Sequence, residues 1–176
     1  MTPPLHADEM LAGLCRWLRA AGHDCSLAEC GEADSAVLAR ARAEGRLLLT
    51  RDRELARHAK AHGLPVLLLA GQDLDAQARE LSDRLGIDWL HRPMSRCLRC
   101  NVPIEEAPAE RRAGLPFALG RDEALWICPA CARLYWQGSH VRRMMERLRD
   151  WAGAGGANEL EEGKGTAGAE DEPKRG

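Results

Sequence analysis

The sequence predicts an α/β fold, with a parallel sheet flanked by helices in the first half and a small cysteine-organised region with a terminal helix after it. Three observations carry this. Short extended runs alternate with helical patterns from residue 4 to 86. The runs within RLLLT (46–50) and PVLLLA (65–70) are continuously apolar, as strands buried on both faces are. Finally, Cys97, Cys100, Cys128 and Cys131 form two CxxC pairs in a stretch with little periodicity.

Each element follows from local pattern. PLHAD (4–8) is a short extended run. EMLAGLCRWLRAAG (9–22) places Met10, Leu11, Leu14, Trp17 and Leu18 at helical spacing and stops at Gly22. DCSLA (24–28) reads as a strand. DSAVLARARAEG (34–45) reads as a helix capped by Asp34 or Ser35 and closed by Gly45. After the strand at 46–50, RDRELARHAKAHG (51–63) forms a helix ending at Gly63; after the strand at 65–70, DLDAQARELSDRLG (73–86) forms another. SHVRRMMERLRDW (139–151) is a basic amphipathic helix with Val141, Met144, Met145 and Leu148 on one side. The expected units are 1–91, 92–151 and a Gly/Ala-rich, charged tail, 152–176, too poor in apolar residues to order itself.

Composition excludes some classes. No apolar run approaches the roughly 18–20 residues of a membrane helix, and MTPPLHADEM lacks the basic and apolar regions of a signal peptide. A cytoplasmic protein is expected, and seven cysteines, an odd number, fit a disulfide framework poorly there. Charge is uneven: residues 1–91 carry 11 basic and 14 acidic side chains, residues 92–151 carry 11 and 7. An acidic half beside a basic one suits a carboxylate site next to a surface that attracts polyanions.

Chemistry in an open parallel sheet collects at the carboxyl ends of its strands. Asp8 ends the first strand, Asp34 starts the second helix and Asp52 follows the third strand. Carboxylates brought together there repel unless a cation neutralises them, and Mg²⁺ or Mn²⁺ suits oxygen ligands with positions left for phosphate and water. Each residue also has a purely structural reading, since an acid in a helix's first turn is favoured by the dipole and Asp34 can cap its helix.

Asp8-Glu9-Met10-Leu11, Arg16-Trp17-Leu18-Arg19, Gly22-His23-Asp24 and Leu48-Leu49-Thr50-Arg51-Asp52 together resemble the Mut-seven C-terminal RNase family over residues 5 to about 148. The resemblance implies a PIN-like nuclease domain followed by a zinc ribbon, acting on RNA through acids that hold Mg²⁺ or Mn²⁺. The residues matching by position are Asp8, Asp34 and Asp52, with Asp73 as candidate fourth acid and Asp75 and Glu32 as rivals. His6 and Ala7 depart from the bulkier apolar residues expected in the initial strand.

The CxxC pairs enclose 27 residues, from Asn101 to Ile127, and can grip a tetrahedral Zn²⁺ from two sides. Four thiolates close the shell, so such a zinc is structural. The other reading, two redox-active CxxC pairs, lacks a thioredoxin-like context. Ser95-Arg96-Cys97, Cys100-Asn101 and Tyr135-Trp136-Gln137-Gly138-Ser139-His140 also resemble that family's ribbon. Arg16, Arg19, Arg51, Arg96, Arg99, Trp136, His140, Arg142 and Arg143 are the candidate nucleic-acid contacts, offering cations for phosphates and rings for unpaired bases. Trp136 can equally pack the ribbon onto the first domain, and His140 can cap the last helix. The sequence thus points to a metal-dependent ribonuclease for single-stranded RNA, with a non-catalytic zinc-ribbon RNA adaptor as the alternative; it leaves oligomeric state open.

Overall fold

The computed structural model describes residues 2–113, 115, 119–120 and 123–156. Its first half runs β1 (Leu5–Ala7), a 3₁₀ turn (Glu9–Leu11), α1 (Ala12–Ala20), β2 (Cys25–Leu27), α2 (Asp34–Ala43), β3 (Leu47–Thr50), α3 (Arg53–Ala61), β4 (Val66–Leu68) and α4 (Leu74–Leu85). The second half adds β5 (Glu105–Glu106), a single-turn α5 (Glu110–Ala113), β6 (Leu125–Ile127), β7 (Leu134–Trp136) and α6 (Ser139–Gly156).

The first four strands form one parallel sheet in the order β2-β1-β3-β4. Alternation along the strands divides their side chains between two cores. Leu5, Ala7 and Leu49 face the layer that holds α1 and α4, while Leu48 faces Val37, Ala41, Leu55 and Ala59 of α2 and α3. Both faces are covered, which is why these strands read as apolar runs. The connection from β1 runs outward to β2, and that from β3 runs the opposite way to β4. The chain therefore switches direction between β1 and β3, and the crevice beyond their carboxyl ends is where such sheets place their chemistry.

His6 turns toward the α2–α3 side, is fully buried, and shares a 2.7 Å hydrogen bond with Ser26 Oγ through Nδ1. Its Nε2 is buried with no partner among the described residues. Burial, reinforced by the Arg40 charge, lowers its pKa below the usual value of 6.5. Burial likewise lowers that of His23, against the carbonyl of Asp88. A base with a depressed folded pKa stabilises the fold above its unfolded pKa, and this stability is lost as pH falls below about 6.5. Melting temperature should thus decline from pH 7.5 to pH 5.5, and His6→Leu should flatten part of that slope; an unchanged slope would show that His6 ionises freely in the fold.

The second half carries the expected ribbon but places its terminal helix differently. Residues 92–136 contain a three-stranded antiparallel sheet, β5-β6-β7, with Leu125 and Ile127 turned into a small core with Ala107. The terminal helix packs into the first unit, not the ribbon. Met144, Leu148 and Trp151 join the core beneath α1 and α4. Trp151 meets Trp17 edge-on at 5.1 Å and Trp89 at 4.8 Å, and Arg147 lies over Trp17 and Trp151. Asp75 accepts hydrogen bonds from both Arg147 and Trp151 Nε1 at 2.8 Å. The helix also continues to Gly156, past the expected end at 151, and half-buried Ala152 still touches the core. The remainder of the expected tail, residues 157–176, lies outside the described residues.

Candidate metal-dependent active site and cysteine metal centre

At the switch point, three elements deliver carboxylates to one cleft. Asp8 leaves β1 with its amide donating to the Leu49 carbonyl at 2.9 Å, so the parallel ladder itself fixes its backbone. Asp8 Oδ2 accepts from Thr50 Oγ1 at 2.8 Å, and the same hydroxyl accepts from the Asp52 amide at 2.9 Å. Thr50 is fully buried, so one hydroxyl ties both acids to the end of β3. Asp52 is also the N-cap of α3, its Oδ1 accepting from the amides of Glu54 at 2.7 Å and Leu55 at 3.2 Å. Asp34 is the first residue of α2; the N-cap is Ala33, which has no side-chain cap. The capping role expected of Asp34 or Ser35 is thus absent.

Asp8, Asp34 and Asp52 line a cavity of about 140 Å³ with Glu9, Met10, Ala28, Glu29, Glu32, Val37 and Leu55. Among the described residues no basic side chain lines it. The N-termini of α2 and α3 supply partial positive charge, while Arg40 pairs with Glu32 at 2.9 Å from outside the lining. Glu9 is held by the Gly31 amide at 2.6 Å and Glu32 by the Glu29 amide at 2.9 Å. These oxygen-only donors suit a hard cation such as Mg²⁺ or Mn²⁺. The carboxylates share the cleft without converging as the cysteines do, which is how like charges settle.

Asp73 and Asp75 stand elsewhere. Asp73 caps α4, accepting from the Ala76 amide at 2.8 Å, and does not line the cleft. Asp75 is occupied by α6. Of the acids considered for a fourth position, Glu32 is the one in the cleft; Glu9 and Glu29 stand there too and were not foreseen.

The four cysteines meet. Among the described residues they are the one group of metal-binding side chains whose ligand atoms all lie within 4.8 Å of one another. Cys97 and Cys131 sulfurs are 3.8 Å apart, about the edge of a tetrahedron with Zn–S bonds of about 2.3 Å. Both knuckles fold alike. The Cys97 amide donates to Val102 O and Asn101 N to Cys97 O, just as Cys128 N donates to Arg133 O and Ala132 N to Cys128 O. Asn101 and Ala132 take positive φ, 66° and 56°, to close these turns.

Burial opposes ionisation of Cys97, yet the Tyr135 hydroxyl, at 3.1 Å, and the Cys100 and Arg99 amides hold its pKa at about 6. Its neighbour Cys100 is pushed up to about 12, first through Cys131 and then by burial. Thiols this close cannot all ionise without a cation, and the arrangement fits structural Zn²⁺. Tyr135, the only tyrosine, was not foreseen in this role; its sequence signal is position, four residues after Cys131.

The candidate nucleic-acid contacts divide. Arg19 is 6% exposed and donates to the carbonyls of Cys25, Leu98 and Arg99 at 2.7–3.0 Å. Its expected role on phosphate gives way to a structural one: it fastens α1 and β2 to the first cysteine knuckle. Arg96 similarly donates to Gly22 O and Asn101 O. Arg51 donates to Gln72 at the surface. Arg99, Arg142 and Arg143 are exposed, Trp136 is half-buried in β7, and exposed Arg16 donates to His140 Nε2 at 3.2 Å.

Searches against curated proteins and against solved structures find no match. A family model does: that of the Mut7-C RNAse domain matches residues 3–148, which takes in the carboxylate cleft and both cysteine knuckles, and the chain belongs to that family.

Proposed function

We propose that the protein is a PIN-like, Mg²⁺- or Mn²⁺-dependent ribonuclease that hydrolyses single-stranded RNA in the cytoplasm. The observation that carries this reading is the cleft at the β1–β3 switch point, where Asp8, Asp34 and Asp52 arrive from three separate elements with no basic residue among the described ones that line it. Asp8, Asp34 and Asp52 would hold the catalytic metal, with Glu32 as fourth acid in place of Asp73. When bound, the cation supplies an activated water and takes up charge on the scissile phosphate. The chain's own part is positional. Thr50 and the α3 amides fix two carboxylates, and the N-termini of α2 and α3 moderate their repulsion. The ribbon, held by Zn²⁺ on Cys97, Cys100, Cys128 and Cys131, would set the RNA-binding surface beside α1. No described helix is long and apolar enough to cross a membrane.

Incubation with end-labelled single-stranded RNA in Mn²⁺, Mg²⁺ or Ca²⁺ tests this. Cleavage is expected with Mn²⁺ or Mg²⁺ and not with Ca²⁺ or without divalent ion. Binding without cleavage under all four conditions would make the protein a zinc-ribbon adaptor instead.

A further inference from the structure

A second cavity, of about 270 Å³, lies between α1, the ribbon hairpin and the start of α6. Leu98 and Val141 line it, with the rings of Tyr135 and Trp136; exposed Arg16 and Arg133 complete it. Its size falls at the small end of ligand sites, enough for one flat ring system. Apolar walls and aromatic rings suit a base, which any nucleotide can offer. The cations suit the backbone on either side of it: neither Arg16 nor Arg133 forms a salt bridge among the described residues, and Arg16 has another base, His140, as its partner.

One short stretch of chain joins the carboxylate cleft to the cavity. Glu9 lines the cleft and Arg16 lines the cavity, seven residues on, about 10 Å along a helical axis. Between them Met10, Ala12 and Gly13 are exposed and Leu74 lies near Gly13, so this face is uncharged.

We propose that this cavity is a nucleobase subsite. It takes an unpaired base of the RNA strand whose backbone crosses the exposed face of α1 from the carboxylate cleft. The subsite rests on the ribonuclease reading for its ligand. Tyr135 joins it to the metal centre, because the side chain that lines the cavity also donates its hydroxyl to Cys97.

Binding measured apart from cleavage tests it. A fluorescein-labelled, mixed-sequence RNA octamer is titrated in Ca²⁺ against wild type and Val141→Trp, which fills the cavity without touching the acids or the cysteines. The dissociation constant should rise about tenfold, the worth of one stacked base. An unchanged constant in a folded, zinc-replete variant would overturn the proposal. In case the variant misfolds, a 4-thiouridine octamer is photo-crosslinked to wild type and mapped by mass spectrometry. Crosslinks within residues 133–144 support the subsite; crosslinks confined elsewhere remove it and leave the cavity to some other partner. Failure here with Mn²⁺-dependent cleavage intact overturns the subsite alone, whereas loss of cleavage under every condition overturns the ribonuclease reading.

Discussion

Cys97→Ser should release about one Zn²⁺ per chain and unfold the ribbon while leaving the parallel sheet in place. The reason lies in how little else holds residues 92–136. Among the described residues their apolar core comprises three buried residues, Ala107, Leu125 and Ile127, with four partly buried neighbours. Such a core is small for the length of chain it has to order. Structural zinc in small domains contributes about 10–16 kcal/mol, enough to decide between folded and unfolded. Serine is a poor substitute for a buried thiolate, and the variant also loses the sulfur that accepts from Tyr135 and the Cys100 amide.

The effect should stop at a definite boundary. Arg19 would lose its acceptors on Leu98 and Arg99, but keep that on Cys25. The first unit retains its own core, including the α6 residues Met144, Leu148 and Trp151. Elemental analysis should therefore show zinc lost, and limited proteolysis should cut within 92–136 while a fragment covering the first sheet survives. A variant that keeps zinc, or melts with wild type as one unit, would contradict this.

How much of this was legible in the sequence depends on which interactions are local. The strand at 47–50 was visible because three consecutive leucines satisfy both faces of a covered sheet, and the helix ends because Gly45, Gly63 and Gly86 take positive φ there. The cysteine knuckles were visible because CxxC spacing is set by the metal's own geometry. What periodicity could not show is which core an apolar face joins. The helix from Ser139 follows the ribbon in sequence, so it was grouped there; three tryptophans and Asp75 draw it back to α1 and α4.

Arginines were equally ambiguous. Arg16 and Arg19 sit three apart on one helix, yet one is exposed and the other is 6% exposed on carbonyls from three residues. Only the position of the ribbon decides between them. The fourth acid was ambiguous for a related reason. Asp73 follows its strand much as Asp52 does, but it caps α4 and does not line the cleft, whereas Glu32, on the connection between β2 and α2, does.

Asp52→Asn should leave the fold standing and remove RNA cleavage. An asparagine oxygen can still accept from the Glu54 and Leu55 amides, so the α3 cap persists and stability should change by no more than about 1 kcal/mol. What is lost is one negative charge from the proposed cation site. Cleavage should fall by more than the roughly 10–100-fold that removal of an outer-shell partner costs, with partial recovery at high Mn²⁺. RNA binding should persist or tighten, since phosphate then approaches a less negative cleft.

Thr50→Val supplies the graded comparison. It preserves shape in a fully buried position but withdraws the donor to Asp8 and the acceptor for the Asp52 amide. Its cost in activity should fall within that outer-shell range, accompanied by a loss of about 1–3 kcal/mol for the buried amide and carboxylate left short of a partner. Melting temperature, RNA affinity and cleavage rate on the two variants give opposite signatures: large in rate and small in stability for Asp52→Asn, moderate in both for Thr50→Val. If Asp52→Asn is stable and cleaves at the wild-type rate, the carboxylate serves α3 alone and is not a metal ligand.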